Sequence, residues 1–572
     1  MDLLEPDRVA KHFYNSEVSG LSEVIMFFSL FWLALSVHSE VPVPMWYAET
    51  IAAKTLPASE GRRLTAAELT GIRDSKPQIP FRDVTTGIRL ADGSLWVGTQ
   101  NGLCLLGGNQ DEWRLFHSRR WLPDNRVLDL AVTSDGIVFV QTPAGMGKLY
   151  QKQKKLEQKM EEIHAELRQR HVREGLVGHI SLKEPGRLEA GWFQPDSDND
   201  GLWTSLYVAA EAFRFGATGD GRAKENAWQS LKALMFLEKV TGISGYAART
   251  IWPGTEPKPH YGEWHRSADG KWWWKGDTSS DELDGHYIAY SVYYDLAATP
   301  AEKEQIRLVV ERITDHILKH CYYYVGPSGK RARWGVWAPE KLNRDLAWIE
   351  DRGLNSLEIL SHLKVADHIS GKPCYAEAAK QLVEQHGYAL NTVWQKAVWP
   401  PRINHSDDQL AFISYYPLMI YERDPKLREI YLVSLERSWR IERPEMSPLF
   451  NLIYAACRQA SNWKEPGKRP KSAELDAREY DGQVCRDWFR DVPQDLIEWT
   501  VKNSNRQDIG PVATNRHRRA TGSRVLNVAE RPLMRWNGDP YQLDGGSDGR
   551  NRDDGTFILL PYWLGRYHRL SP

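Results

Sequence analysis

The chain has almost no charge of one sign to spare: 74 Lys and Arg face 75 Asp and Glu, a formal net charge of −1 over 572 residues. No whole-molecule field therefore draws it to nucleic acid or to an anionic membrane. Cysteine is scarce. Cys104, Cys321, Cys374, Cys457 and Cys485 are scattered, odd in number and never spaced as CxxC. Neither a zinc cage nor a disulfide framework is indicated, and a chain this long needs no such staple. Long apolar runs are lacking too. VIMFFSLFWLALSV (Val24–Val37) has 14 residues, too few to span a bilayer comfortably, so no stable membrane span is expected. Medium and small residues at Val37 and Ser39 suit a cleavage site, so residues 1–39 read as a signal peptide with a long leader carrying Arg8 and Lys11. The expected location is secreted or periplasmic; an uncleaved anchor is the alternative.

Aromatics are what the chain has in excess, with 24 Trp and 24 Tyr. Many lie in polar surroundings: Trp264, Trp272, Trp273, Trp274, Trp334 and Trp337. Each buried indole N–H must find a partner, so a core rarely needs so many. Flat amphipathic rings beside Asp, Arg and His suit a groove for sugars, with Trp273 and Trp337 as candidate substrate contacts. Wedging between long helices is the competing role.

Residues 40–80 are Pro-rich and weakly patterned, and read as a linker. Over 81–150 two β-like units follow, LADGSLWVGTQNGLCLL (Leu90–Leu106) and VTSDGIVFVQTPAGMGKL (Val132–Leu149). Their Asp92-Gly93 and Asp135-Gly136 turns are 43 residues apart, a blade-like period with a hairpin at each turn. The first unit resembles the two-component-regulator propeller repeat, "DGxLWVGTxxGL". Two units close no propeller, so a small β cap is expected. A connecting helix is predicted within 151–185, since Leu156, Met160, Ile163 and Leu167 share one helical face.

The region 186–460 carries paired helical patterns, one member apolar on most sides and the next amphipathic and charged. Short connections imply antiparallel hairpins. The fold class expected is mainly α: an α/α toroid of five or six hairpins beneath the β cap. Residues 461–572 are expected to pack back on it. Polar motifs precede the apolar helices, which places them together at one mouth.

Three motifs hold the chemistry. In DSDNDGLW, Asp196, Asp198 and Asp200 copy the opening of an EF-hand loop, but position twelve is Tyr207. The possible cofactor is Ca2+ with ligands borrowed from elsewhere; a hydrogen-bonded helix N-terminus is the other reading. In GDTSSDELDGHYIAY, Asp281 and Asp284 share a face, as do His286 and Tyr290, with Tyr287 beside them. NHSDDQLAFISYYPL repeats this chemistry with His405, Asp407, Asp408 and Tyr415. That recurrence is the strongest functional signal. Arg249 and Arg352 are candidate clamps for a substrate carboxylate, or internal ion pairs.

DNDGLWTSLYVAAEAFRF, TSSDELDGHYIAY, NHSDDQLAFISYYPL and the closing LPYWLGRYH together resemble secreted bacterial proteins that join regulator-propeller repeats to an α/α toroid. The resemblance implies a polysaccharide-lyase-like enzyme acting on uronic-acid-containing glycans. Such β-elimination needs a carboxylate neutraliser (Arg249 or Arg352), a base (His286 or His405) and a proton donor (Tyr287 or Tyr415). Asp281 and Asp407 would bind substrate. Two alternatives stand beside it: a glycoside hydrolase using Asp284 and Asp408, and a glycan-binding or sensory protein without catalysis. In each case the partner is a polysaccharide or oligosaccharide.

Overall fold

A computed structural model describes residues 40–108, 111–396, 403–460, 476–533 and 538–570. The Val24–Val37 run and the rest of the expected leader lie outside the described residues. The described residues from Val43 onward hold together as one unit. Among the described residues no helix is long and apolar enough to cross a membrane.

Strands open the larger unit. They are β1 (Val43–Ile51), β2 (Arg62–Arg63), β3 (Val84–Arg89), β4 (Leu95–Thr99), β5 (Gly102–Leu106), β6 (Arg114–Phe116), β7 (Asp129–Val132), β8 (Val138–Thr142) and β9 (Gly145–Lys154). Two antiparallel sheets result, ordered β2-β3-β4-β5-β6 and β1-β9-β8-β7. The 43-residue repeat is visible in atomic detail. Thr99 Oγ1 donates to Gly102 O and Thr142 Oγ1 to Gly145 O, each at 2.8 Å. Gly102 and Gly145 sit at φ +137° and +136°, where a side chain is strained. Trp96, Phe116, Trp121, Val138 and Leu149 form a shared core. Within the expected linker at 40–80, β1 pairs with β9 from Val43–Lys154 to Ile51–Met146, and Ala66–Ile72 form a short helix.

Helix α1 (Leu156–Arg170) buries the predicted face of Leu156, Met160, Ile163 and Leu167. Helices then alternate in pairs: α2 (Asp200–Thr218) with α3 (Gly221–Lys239), α4 (Ser280–Leu296) with α5 (Pro300–Lys319), and α6 (Arg352–Ser370) with α7 (Pro373–His386). After them come α8 (His405–Tyr421) with α9 (Pro425–Glu442), α10 (Pro448–Ala460) with α11 (Gly482–Asp491), and α12 (Thr556–His568). The even-numbered helices touch in a cycle, α2-α4-α6-α8-α10-α12 and back to α2; each odd-numbered one backs a member of it. Composition explains the division. On α2, Leu202, Leu206, Val208, Ala209 and Phe213 are fully buried, as an element surrounded by protein requires. On α5, Ile306, Val310, Ile313 and Ile317 face inward while Glu304, Asp315 and Lys319 face water. Its start is fixed by Pro300 and a Thr299–Glu302 capping box.

The mainly α fold class is nonetheless overturned. Among the described residues the structure is 43% helix and 20% strand, with fifteen helices and many small sheets, so the architecture is mixed. Two effects account for this. The N-terminal β part is two complete sheets, far more than a small cap. Several loops between helices also fold into hairpins, among them Ile251–Pro253 with Trp272–Lys275 and Tyr323–Val325 with Arg331–Val336. Those segments are short and rich in β-prone Trp, Tyr and Val, which helical periodicity cannot register.

One buried lysine ties the two halves of the helical body. Lys159 of α1 donates from Nζ to Phe489 O, Arg490 O and Val492 O at 2.9, 2.9 and 2.5 Å, satisfying the last carbonyls of α11. Lys159→Met keeps the volume and strands three buried acceptors. The expected loss is about 3 kcal/mol in urea unfolding; a change near zero would show that water replaces the ammonium.

Candidate functional site

The starts of three inner helices, α2, α4 and α12, converge on an open cleft of about 970 Å³. Asp198 and Trp203 border it from α2, Asp281 from α4, and Asp554 and Phe557 from α12. The hairpin strand Arg331–Val336 adds Arg333 and Trp334, and the tip between Pro511–Thr514 and Ala520–Gly522 adds Arg516 and His517. Polar side chains dominate. Trp334 is 49% exposed and Tyr261 73%, so flat apolar faces remain available beside the charges.

Arg249 is the organising cation. Its Nε donates to Asp277 O and its Nη1 to Asp198 O, both at 2.8 Å, and Nη1 lies 3.8 Å from Glu282 Oε2. Those bonds make Arg249 a brace at the cleft wall, bound to the protein on several sides. Asp281, half-buried beside it, accepts from Asn199 Nδ2 at 3.3 Å. Burial raises the proton affinity of Asp281, with Arg249 acting in opposition. Asp407, in the first turn of α8, is also half-buried and accepts from Asn404 Nδ2 at 2.5 Å. Its carboxyl is pushed far above the usual range by burial and by the charges of Asp408, Asp281, Asp351 and Glu358. Carboxylates from α4, α6 and α8 therefore feel one another beneath this cleft.

A second cluster lies behind Asp407. His405 Nδ1 is 3.5 Å from Glu445 Oε1 and 3.9 Å from Asp408 Oδ2, and its Nε2 is 3.4 Å from Asp539 Oδ1. His405, Asp408 and Glu445 place one donor atom each within 4.8 Å of one another, the metal-like grouping among the described residues. The chain fills this position with its own cation. Lys396 Nζ pairs with Asp408 and lies 2.8 Å from Glu442 Oε1. Burial still pushes Asp408 up to about 6 and Glu445 up to about 7.

Several sequence-based assignments need correction. His286 is fully buried, bonds Tyr290 at 3.0 Å through Nδ1, and is held neutral by burial at about 3. Tyr287 bonds Thr314 at 2.8 Å and Tyr415 bonds Ser434 at 2.7 Å, both inside the core. Asp284 is buried against His362, and Asp408 against Lys396. None of these five faces the cleft. His405 is enclosed by three carboxylates. Arg352 donates to Leu342 O at 2.6 Å, capping its own neighbourhood. Trp337 is buried with Nε1 on Glu358, and Trp273 lies on a hairpin with Arg266 over its ring. The aspartates proposed for calcium diverge. Lys275 Nζ takes Asp196 at 3.0 Å and Asp198 at 2.7 Å, whereas Asp200 turns to Arg173 at 3.2 Å and to Thr250. Arg249, Asp281 and Asp198 remain at the mouth, with Asp407 close enough to feel the charge of Asp281.

Sequence reasoning passed over Glu358, Lys396, Arg333 and Arg516. A single Glu inside the apolar run GLNSLEIL was the available signal for Glu358. NRHRR between two short β-prone stretches was the signal for a basic hairpin tip. No protein-family model matches the chain, and no curated protein matches it. The motif resemblance thus has no match behind it.

Glu282, whose side chain completes the Ser279 capping box, is pushed by burial from 4.5 to about 8. Between those values the folded state holds a proton that the unfolded chain has released, so stability falls as pH rises through that window. Glu282→Gln retains the capping geometry. Urea titrations across this range should show a flatter pH dependence in the variant; an unchanged slope would reject the protonation of Glu282.

Proposed function

We propose that the protein is a glycan-processing hydrolase with Asp407 as general acid and Asp281 as general base. The observation carrying this reading is a pair of half-buried carboxyls, Asp281 on α4 at the cleft and Asp407 on α8, both raised by burial and set apart by their charged neighbours. Four neighbouring carboxylates favour the protonated form of Asp407. Arg249 favours the charged form of Asp281. An acid that protonates the leaving oxygen and a base that deprotonates water are the two roles glycoside hydrolysis needs. Elimination by the His and Tyr residues first considered is disfavoured, because His286, Tyr287 and Tyr415 are enclosed in the core.

An acidic sugar suits the cleft rim. Arg333 and Arg516 approach from separate hairpins, and neither guanidinium has an ion-pair partner among the described residues. Each matches a uronate carboxylate bidentately, while Trp334 and Tyr261 present ring faces for stacking. Export, expected from the Val24–Val37 run, belongs to the same reading.

Uronate-rich and neutral polysaccharides should be incubated with the full chain and the products analysed. New reducing ends without ultraviolet absorbance support hydrolysis. Absorbing unsaturated products would replace it by elimination, and binding without turnover by a recognition role. Asp281→Asn and Asp407→Asn should each lower kcat about 10²- to 10⁴-fold. Arg333→Ala and Arg516→Ala should raise KM for the acidic polymer at nearly constant kcat.

A further inference from the structure

Beneath the mouth, α4 and α6 bring together two acids that no charged partner neutralises. The side chains of Asp284 and Glu358 are both fully buried. Each has one oxygen satisfied from outside the pair. Asp284 Oδ1 accepts from His362 Nε2 at 2.7 Å, and Glu358 Oε2 accepts from Trp337 Nε1 at 2.8 Å. The other two oxygens, Asp284 Oδ2 and Glu358 Oε1, are buried with no partner as long as both groups are ionised. A carboxylate only accepts, so two facing carboxylates leave both atoms unsatisfied.

His362 supplies no positive charge. Its ring is stacked on Tyr287 at 4.2 Å, and burial holds it neutral at about 3. The other groups around the pair are acidic or uncharged: Asp281 and Glu282 on α4, and Asp407 and Ser414 on α8, the Ser414 hydroxyl within hydrogen-bonding reach of Asp284. Arg249, the nearby cation, is turned to Glu282 and to the carbonyls of Asp198 and Asp277. Two bare charges in such a site would carry a desolvation cost of several kcal/mol each.

We infer that Asp284 and Glu358 share one proton between Oδ2 and Oε1 and form a positioning pair that keeps a single negative charge buried below Asp407. One proton converts one orphan into a donor and the other into its acceptor, so all four oxygens are satisfied. The remaining charge has His362 N–H and Trp337 N–H directed at it. Both acids respond accordingly, with burial and their mutual repulsion raising them well above the carboxylate range. Glu358 is in turn one of the carboxylates that keep Asp407 protonated. The shared proton stands on its own geometry; its effect on Asp407 rests on the hydrolase reading above.

Infrared spectroscopy of the full chain at neutral pH tests the pair without any assay of activity. The C=O stretch of a protonated carboxyl, shifted by ¹³C-glutamate or ¹³C-aspartate labelling, should be present and insensitive to pH across the neutral range. Glu358→Gln substitutes an amide donor and should remove that pH-insensitive component, leaving the bands of protonated Glu282 and Asp407 and a folded protein. Absence of the band from the labelled wild-type protein overturns the inference, and needs no variant to fold. The consequence is read separately. In Asp284→Asn/Glu358→Gln the buried charge is gone, and the alkaline limb of the activity profile should move about one pH unit lower. In Glu358→Gln alone one charge remains, and the limb should stay in place. A band present with an immobile limb in the double variant would retain the pair and reject Asp407 as the acid it serves.

Discussion

The carboxylates at the mouth depend on the parallel arrangement of the inner helices, whose first turns end in the same small volume. Each helix start carries unpaired N–H groups and a partial positive charge, which favours Asp and Glu there. The chain follows this rule at Asp200, at Asp281 and Glu282, and at Asp407 and Asp408, all in first turns. One helix start satisfies its own acids easily. When several meet inside a closed ring, the acids are withdrawn from water together, and helix dipoles alone do not balance them.

Three remedies appear. Whole cations are brought in at two places: Lys275 between Asp196 and Asp198, and Lys396 between Asp408 and Glu442. Arg249 spreads one charge over several acceptors. No cation reaches Asp284 and Glu358, and there the balance falls to protons. The contrast between ion-paired and protonated acids is what gives neighbouring aspartates different proton affinities. A site with an acid and a base needs that difference. Residues of one type thus acquire two roles through their partners and not through identity.

The alternating helix pairs within 186–460, the buried face of α1 and the 43-residue repeat are legible in the sequence because periodicity of 3.6 or 2 encodes which side of an element is apolar. The shared mouth was legible for the same reason: the polar motifs sit at helix starts. Depth below the mouth was not. Asp281 and His286 are five residues apart, little more than one turn of α4, yet one reaches the cleft and the other is sealed beside Gly201. A helix enclosed on all sides has no solvent face to mark in its sequence, so His286, Tyr287 and Tyr415 looked like site residues by composition alone. Their true partners, Tyr290, Thr314 and Ser434, include neighbours on other helices that no local pattern reveals.

The mixed architecture has a functional logic that follows from the same geometry. Inner helices crowd the mouth with acids and cannot also carry exposed cations there, because an Arg so close would be drawn into an internal pair, as Arg249 is. Cations left for an anionic ligand must be held away from the helix starts on separate supports. The hairpins do this. Arg333 lies in a strand whose register with Tyr323–Val325 is fixed by backbone bonds, and Arg516 sits at a tip closed by Asn515, which accepts from His517 N and Arg519 N. Strand content that a purely helical fold lacks is therefore what permits positive charge to persist at the rim of an acidic cleft. A helix-only version of this ring would pair its arginines inward and leave the rim without them.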